Sequence, residues 1–266
     1  MRELYFRNSI GETFHLNSEV LISSIEGLGI VKENIYFNYG TKSKKFDGET
    51  PISEIALGVV FMTGYEGYLT FVDFLKRSEE LKLHYKAVDE KYAYVEVVEL
   101  TKGQLEFGVL KSELRLDKLS GWLKEREVSI EVIESPSSKV FPFPYPFTYS
   151  KNTNGKIRVT NYGHNKAEMK IKIIGDVYHP TVTISQFDKV VQTLRLLTSG
   201  EGIYEVSSVS SDAYITKDGE SIYDLQDFTC KNFLTLPLGE SEISFESGVL
   251  TVTSCDILII EEYEAN

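Results

Sequence analysis

The sequence has few of the residues that metal sites and disulfide frameworks need. Its 266 residues include only two cysteines, Cys230 and Cys255, and neither belongs to a CxxC or Cys/His spacing. The first residues lead straight into a strand-like alternation rather than an export signal, which indicates a protein made in a reducing cytoplasm. We therefore expect two buried free thiols in strands, and no disulfide.

Catalytic motifs are also missing. The sequence contains no phosphate-binding glycine loop, no HExxH, no nucleophile elbow, no calcium loop and no zinc spacing. The four histidines fall in four separate elements, and we expect each to be structural or exposed: His15, His84, His164 and His179. From these absences we predict a chain that is not an enzyme, with no catalytic residue, no metal and no cofactor.

An excess of positive charge is absent too. The net charge is -12, and acidic residues outnumber basic ones both in residues 1–150 (23 against 18) and in residues 151–266 (17 against 10). Such a surface repels phosphates, which argues against nucleic acid recognition. The acids Glu261, Glu262 and Glu264 are interpreted as a solvated terminal run. A hydrolytic pair among the 40 acids stays an open alternative, although no spacing recommends one.

Long apolar runs do not occur. A stretch such as Ile257–Ile260 is far shorter than the roughly 20 residues that cross a bilayer, so we predict no membrane partner. Trp122 is the only tryptophan and is expected to anchor a core.

One helix is predicted, from Tyr65 to Glu80, among runs that alternate like strands. At about 100° per residue, Leu69 and Val72 fall at about 40° and about 340°, whereas Phe71 and Phe74 fall at about 240° and about 180°. This apolar arc is wider than a single contact with a sheet needs. We expect Leu69 and Val72 to face the sheet of their own domain, and Phe71 and Phe74 to form an oligomer interface. A helix buried between two layers of one domain is the alternative.

The second half of the chain contains about ten short alternating runs at roughly ten-residue spacing, which is typical of an antiparallel sandwich or jelly roll. Between the halves lies Phe141–Ser150, FPFPYPFTYS, whose three prolines favour a stiff, extended junction. We predict a mainly β protein with an N-terminal β domain with one helix (1–138), a linker (139–150) and a C-terminal β-sandwich (151–266).

The order of these features resembles one family. FMTGYEGYLTFVDFLKRSEELKLHY, ending at Tyr85, and YAYVEVVELTKGQLEFGVLKSELRLDKLSGW, ending at Trp122, resemble the N-terminal domain of the siphophage distal tail protein family. TNGKIRVTNYG, EMKIKIIGDVYHPTVTI and NFLTLPLGESEISF resemble that family's C-terminal galectin-like sandwich. Each motif alone consists of strand-like sequence interrupted by aromatic residues and glycines, which many β proteins share. The order of the motifs along nearly the full length is more specific to the family.

The resemblance implies a structural protein at the tail tip of a phage virion, or of a related tail-like particle. It would form a homo-hexameric hub ring through its N-terminal domain and join the tail tube protein to a tail-tip hub or tail-associated protein and to a receptor-binding protein. Larger family members carry sugar-binding modules in the C-terminal domain. The turns here are too short for such an insert, which puts direct receptor binding in doubt.

Carbohydrate binding is the alternative function. A lectin-like sandwich would contact host cell-wall glycans through an aromatic platform beside carboxylates or amides. The candidate platforms are Tyr178, Tyr204, Tyr214 and Tyr223. A third function, that of a cell-wall hydrolase, has no motif to support it.

Overall fold

A computed structural model of the chain describes residues 3–16, 20–30, 33–49, 52–77, 79–131, 154–249 and 253–265. The chain divides into two compact units, Met1–Lys124 with Tyr263–Asn266, and Glu125–Glu262. The predicted linker, 139–150, lies outside the described residues. In the part of the chain that the structure describes, no helix has the length and apolar character needed to cross a membrane.

The first unit is an antiparallel β structure with one α-helix. Its elements are β1 (Glu3–Asn8), β2 (Thr13–His15), β3 (Val20–Glu26), β4 (Glu33–Tyr39), β5 (Lys42–Glu49), β6 (Ser53–Phe61), α1 (Tyr65–Lys76), β7 (Leu81–Lys86), β8 (Glu90–Leu100), β9 (Leu105–Glu106), β10 (Val109–Lys118) and the start of β11 (Trp122–Glu131). The sheet runs β3-β6-β10-β8-β7-β1-β2, whereas β4 and β5 pair only with each other among the described strands.

Strict alternation builds the core of this unit. On β6 the residues Ile55, Leu57, Val59 and Phe61 are all fully buried, while those between them are partly exposed. A period of two places all four side chains on one face of the sheet. Trp122 is fully buried in the same core, which confirms its predicted role as a core anchor.

Helix α1 begins where only glycine fits. Gly64 precedes the helix with φ 63° and ψ −129°, a backbone conformation that side chains exclude. A Cβ at this position would also lie 2.8 Å from Leu105 Cδ1 and 3.1 Å from the carbonyl oxygen of Gly108. The helix ends at Lys76, one turn before the predicted Glu80.

The prediction of which helix face meets the sheet is wrong. Phe71 is fully buried and Phe74 nearly so, both within the core of the first unit. Leu69, expected to face the sheet, is 56% exposed. The Phe71 ring lies 4.8 Å from that of Phe14 and 5.9 Å from that of Phe61. Phe71 and Phe74 are thus intradomain core residues, and neither offers a surface to a neighbouring subunit.

The width of the apolar arc explains this error. Tyr68, Phe71, Phe74 and Leu75 occupy an arc from about 180° to about 300°, and these are the side chains that pack in the core. Leu69 lies about 160° from Phe71 on the helix circumference. Helical periodicity shows that an arc is apolar, but it does not show which part of a wide arc packs against the sheet. In this unit, aromatic rings on β1, β2 and β6 determine which side of the helix is buried.

The second unit is a two-sheet antiparallel β-sandwich. Its elements are the remainder of β11, β12 (Asn154–Asn161), β13 (Ala167–Tyr178), β14 (Thr181–Gln186), β15 (Lys189–Arg195), β16 (Ser199–Val209), β17 (Asp212–Lys217), β18 (Glu220–Ser221), a 3-10 turn (Tyr223–Leu225), β19 (Thr235–Leu236), β20 (Gly239–Glu246) and β21 (Ser254–Tyr263). One sheet runs β18-β17-β16-β13-β21-β11 and the other β12-β20-β14-β15. A single apolar core contains residues of both sheets. The predicted fold class, mainly β with one α-helix and antiparallel sheets, is confirmed.

Two sequence expectations need correction in this unit. The sequence predicts Glu261 in a solvated run, but its side chain is only 2% exposed and accepts hydrogen bonds from Arg126 Nη2 at 3.0 Å and from the Tyr162 amide at 3.3 Å. Burial is possible because Arg126 compensates the charge. Both cysteines are free, but only Cys255 is buried, where desolvation raises the pKa of its thiol; Cys230 is partly exposed.

Replacing Phe71 by alanine should lower the free energy of unfolding by about 3–5 kcal/mol, because it leaves a cavity among the rings of the first core. Replacing Leu69 by alanine should change it by less than about 1 kcal/mol, since this side chain is mostly in water. Urea titration of both variants measures the difference. Equal losses would contradict the helix orientation.

Replacing Arg126 by methionine should cost about 3–5 kcal/mol, because the Glu261 carboxylate is left buried without its counter-charge. The matched control replaces Lys170, whose ion pair with Asp212 at 3.1 Å is partly exposed, by methionine and should cost at most about 1 kcal/mol. Denaturant unfolding compares the two. A near-neutral Arg126 variant would show that the buried pair contributes little to stability.

Candidate interaction surfaces

The β4–β5 hairpin carries aromatic side chains into solvent. Tyr36, Phe37 and Tyr39 are all at least half exposed. Successive side chains of a strand point to opposite faces, so Phe37 and Tyr39 lie on one face of the hairpin and Tyr36 lies on the other. A two-stranded hairpin is marginally stable by itself. The hairpin therefore exposes aromatic rings on both of its faces.

A second exposed apolar surface surrounds the start of α1. We call the residues Met62, Tyr65, Leu69, Leu105 and Phe107 the helix-start patch, since all five are at least 40% exposed. Tyr65 and Leu69 share a helix face because they are four residues apart. The backbone at Gly64 lies against Leu105 and Gly108, which joins the helix to the β9–β10 hairpin. Sequence periodicity instead predicts that Phe71 and Phe74, rather than Leu69, lie on the outward face of the helix.

A row of aromatic and imidazole rings crosses four strands of the first unit. Register places His15 opposite Tyr5, Tyr5 opposite His84, and His84 opposite Tyr92. Tyr5 stacks on His84 with ring centroids 4.5 Å apart, and lies 5.0 Å from His15. Sequence reasoning misses this row, because these four residues become neighbours only through strand pairing.

Glu90 organises the centre of the row. Its Oε1 accepts a hydrogen bond from the Tyr5 hydroxyl and lies 3.1 Å from His84 Nδ1. Burial lowers the pKa of His84, while burial and the contact with Glu90 raise the pKa of Tyr5. The hydrogen bond from Tyr5 lowers the pKa of Glu90. Near neutral pH the set is therefore a neutral imidazole, a neutral phenol and a carboxylate.

These three side chains are of the kinds that an acid-base site uses, but a substrate cannot reach the His84 imidazole. His84 is buried, and its Nε2 has no hydrogen-bond partner in the described structure. A general base must reach a proton on its substrate, and this nitrogen is buried in the protein. Within the described residues no three His, Cys, Asp or Glu side chains are arranged to hold a metal ion. The row is best understood as strand packing.

The second unit has a polar groove on the outer face of β12, β20 and β14. Its volume is about 440 Å³, and every lining residue is polar except Phe187. Register places Arg158 beside Glu242, and Glu242 beside Ser185. Ion pairs join Lys156 to Glu242 at 2.8 Å and Arg158 to Glu240 at 3.9 Å. The groove is thus lined by donors and acceptors that largely balance in charge.

The tyrosines predicted as sugar platforms lie elsewhere. Tyr204 is fully buried and its hydroxyl donates to the Gly200 carbonyl, so it cannot be a platform. Tyr178 stacks on His179 with centroids 4.3 Å apart, and Tyr223 packs near Phe233. Tyr214 lies 5.9 Å from the Lys170 ammonium. None of the four lines the groove.

Comparison with known proteins agrees with this architecture. The family model of the distal tail protein N-terminal domain matches residues 3–119. The fold is similar to the SPP1 Dit protein, gp 19.1, described as a paradigm of the hub adsorption apparatus in phages that infect Gram-positive bacteria. That match has a TM-score of 0.68 and 11% identity, and it covers 99% of each chain.

Two further matches come from the baseplate of phage P2. Structures of this baseplate in its activated conformation with Ca and with Sr each contain a chain with a TM-score of 0.67, at 9% and 10% identity, and each match covers 100% of both chains. No curated protein matches the chain in sequence.

Residues 3–119 thus match a distal tail protein N-terminal domain, and the fold of the chain is similar to that of the SPP1 Dit and phage P2 baseplate structures.

Acidification should destabilise the first unit in two steps. His84 has a folded pKa below its unfolded value of about 6.5, so its contribution to stability is complete above that pH and is lost as the pH falls toward the folded pKa. Glu90 has a lowered pKa, so its contribution disappears below about pH 4.5. The melting temperature should therefore fall between pH 7 and pH 5.

The variant His84→Gln should flatten this first step, because glutamine does not titrate. His15→Gln is the control, at the exposed end of the same row, and should keep the wild-type slope. Thermal melts at a series of pH values measure both. An unchanged slope in the His84 variant would mean that other groups cause the acid sensitivity.

Proposed function

We propose that the protein is a structural hub that assembles into a closed hexameric ring and joins the tail tube to the tail-tip adsorption apparatus. The observation that carries the proposal is the β4–β5 hairpin, which pairs with no other described strand and exposes aromatic rings on both faces. The family resemblance supports six copies. The similar structures, one from a hub adsorption apparatus and one from a baseplate, support the location.

The hairpin favours assembly with copies of the same chain. Exposed apolar surface on a rigid fold indicates a partner, and an arm that reaches from each copy onto the next makes a head-to-tail contact. Such contacts close into a ring when the rotation between copies divides a full turn. The first unit supplies the arm, so it forms the ring in this proposal.

The remaining parts of the proposal concern domains and partners. We propose a ring-forming domain at 1–138, a linker at 139–150 and a sandwich at 151–266. On one side the ring would bind the tail tube protein, and on the other the tail-tip hub or tail-associated protein and a receptor-binding protein. The protein would contact neither membrane nor nucleic acid.

The role is structural rather than enzymatic in this proposal. Tyr5, His84 and Glu90 form an acid-base set, but its imidazole nitrogen that is unpaired within the described residues lies in the interior. The similar structures are described as hub and baseplate proteins, which supports a role in assembly.

Replacing Tyr36 and Tyr39 together by serine should abolish the ring. Truncating an aromatic anchor at an interface costs on the order of 2 kcal/mol or more, and this contact recurs at every junction. The matched control is Val88→Ser, a change at a highly exposed residue of the β7–β8 turn. Analytical ultracentrifugation with the tail-tip partner present should show monomers for the tyrosine variant and rings for the control.

Thermal melts separate assembly from folding in this experiment. Both variants should melt cooperatively like the wild-type monomer, since neither changes a buried side chain. Ring formation by the tyrosine variant at wild-type concentrations would refute the role of the hairpin.

A further inference from the structure

The β14–β15 turn holds an aromatic residue in an unfavourable place. Gln186 pairs with Lys189, so the turn consists of Phe187 and Asp188, with φ 50° and 58°. Two-residue turns with two positive φ angles favour Asn-Gly or Asp-Gly. The β17–β18 turn of the same unit has that pair, Asp218-Gly219. A phenylalanine in this conformation costs free energy that an asparagine would largely avoid.

Phe187 gains nothing from the fold in return. Its side chain is 92% exposed and belongs to neither apolar core. A strained backbone position that the fold does not need is a pointer to function. The ring stands at the rim of the polar groove, where it is the single apolar member of the lining.

The groove beneath the ring is held in shape. Gln186 Nε2 donates to the carbonyl oxygens of Leu238 at 2.9 Å and Glu240 at 3.3 Å, and lies 3.1 Å from Ser241 Oγ. Ser241 itself is buried. These bonds tie the end of β14 to the start of β20. The Phe187 turn is therefore anchored at the groove that Glu240 and Glu242 also line.

The charges of the groove identify the class of ligand. Two cationic side chains, Lys156 and Arg158, are paired with the two glutamates, and Asp188 adds one more negative charge. An anion would meet three carboxylates, and a cation would meet two basic groups. A neutral polyol meets both donors and acceptors, and one apolar face of a sugar ring can cover an aromatic ring.

We propose that this groove binds a neutral oligosaccharide, with Phe187 as the stacking platform and the Arg158–Glu240 and Lys156–Glu242 pairs as hydroxyl partners. The volume of about 440 Å³ lies within the range of small-molecule sites, roughly 300–1,000 Å³. All residues of the site belong to the second unit, whereas the ring is proposed to form through the first.

Ligand-observed NMR on the full chain tests the site. The probes are chitotetraose and maltotetraose as neutral saccharides, and inorganic phosphate as an anion. The variant Phe187→Asn removes the ring while keeping a residue that the turn prefers. Its melting temperature should equal or exceed that of the wild type, so that loss of binding cannot be attributed to unfolding.

The matched control is Phe107→Asn. Phe107 and Gly108 form the β9–β10 turn of the first unit with φ 53° and 84°, so the same substitution is made in the same kind of turn, outside the groove. At least one neutral saccharide should bind the wild type at millimolar concentration or tighter. We expect the Phe187 variant to bind it at least about tenfold more weakly, about 1.4 kcal/mol, and the Phe107 variant to bind it as the wild type does.

The proposal is wrong if neither saccharide binds the wild type at millimolar concentration. It is also wrong if the Phe187 variant binds the saccharide as tightly as the wild type does, or if phosphate binds the wild type more tightly than both saccharides do. Ring assembly measured on the same Phe187 variant should be unchanged, so a failure here leaves the hub function standing.

Discussion

The packing of α1 onto the first sheet fixes how the first unit arranges its apolar side chains. Phe71 lies against the rings of Phe6, Phe14 and Phe61, which come from three different strands. This cluster fixes the rotation of the helix about its own axis. Because Phe71 points inward, Tyr65 and Leu69 must point outward and join the exposed residues of the β9–β10 hairpin. The buried cluster therefore determines which apolar surface the molecule offers.

Much of the fold can be read from local sequence. Alternation of apolar and polar residues marks β6 and β10, and short runs between turn residues mark the strands of the sandwich. These patterns have a period of two, which local sterics and burial impose directly. The order of the motifs also carries the family resemblance, and the match over residues 3–119 agrees with it.

The errors concern contacts between residues far apart in sequence. The helix orientation depends on the rings of Phe6 and Phe14, which belong to the first two strands of the chain. Glu261 is buried because it meets Arg126, and the ring row needs the register of four strands. Phe187 is different, because the Phe-Asp pair itself can be seen in the sequence. Only the pairing of β14 with β15 shows that these two residues form a two-residue turn.

The proposed hub function is tested most directly by counting subunits. Electron microscopy of the purified protein, mixed with its tail tube and tail-tip partners, gives the symmetry of the assembly without labels or variants. The account predicts class averages with six-fold symmetry, in which the β4–β5 hairpin of each copy lies on its neighbour. Single copies of the chain in every mixture, over a wide concentration range, would contradict the account.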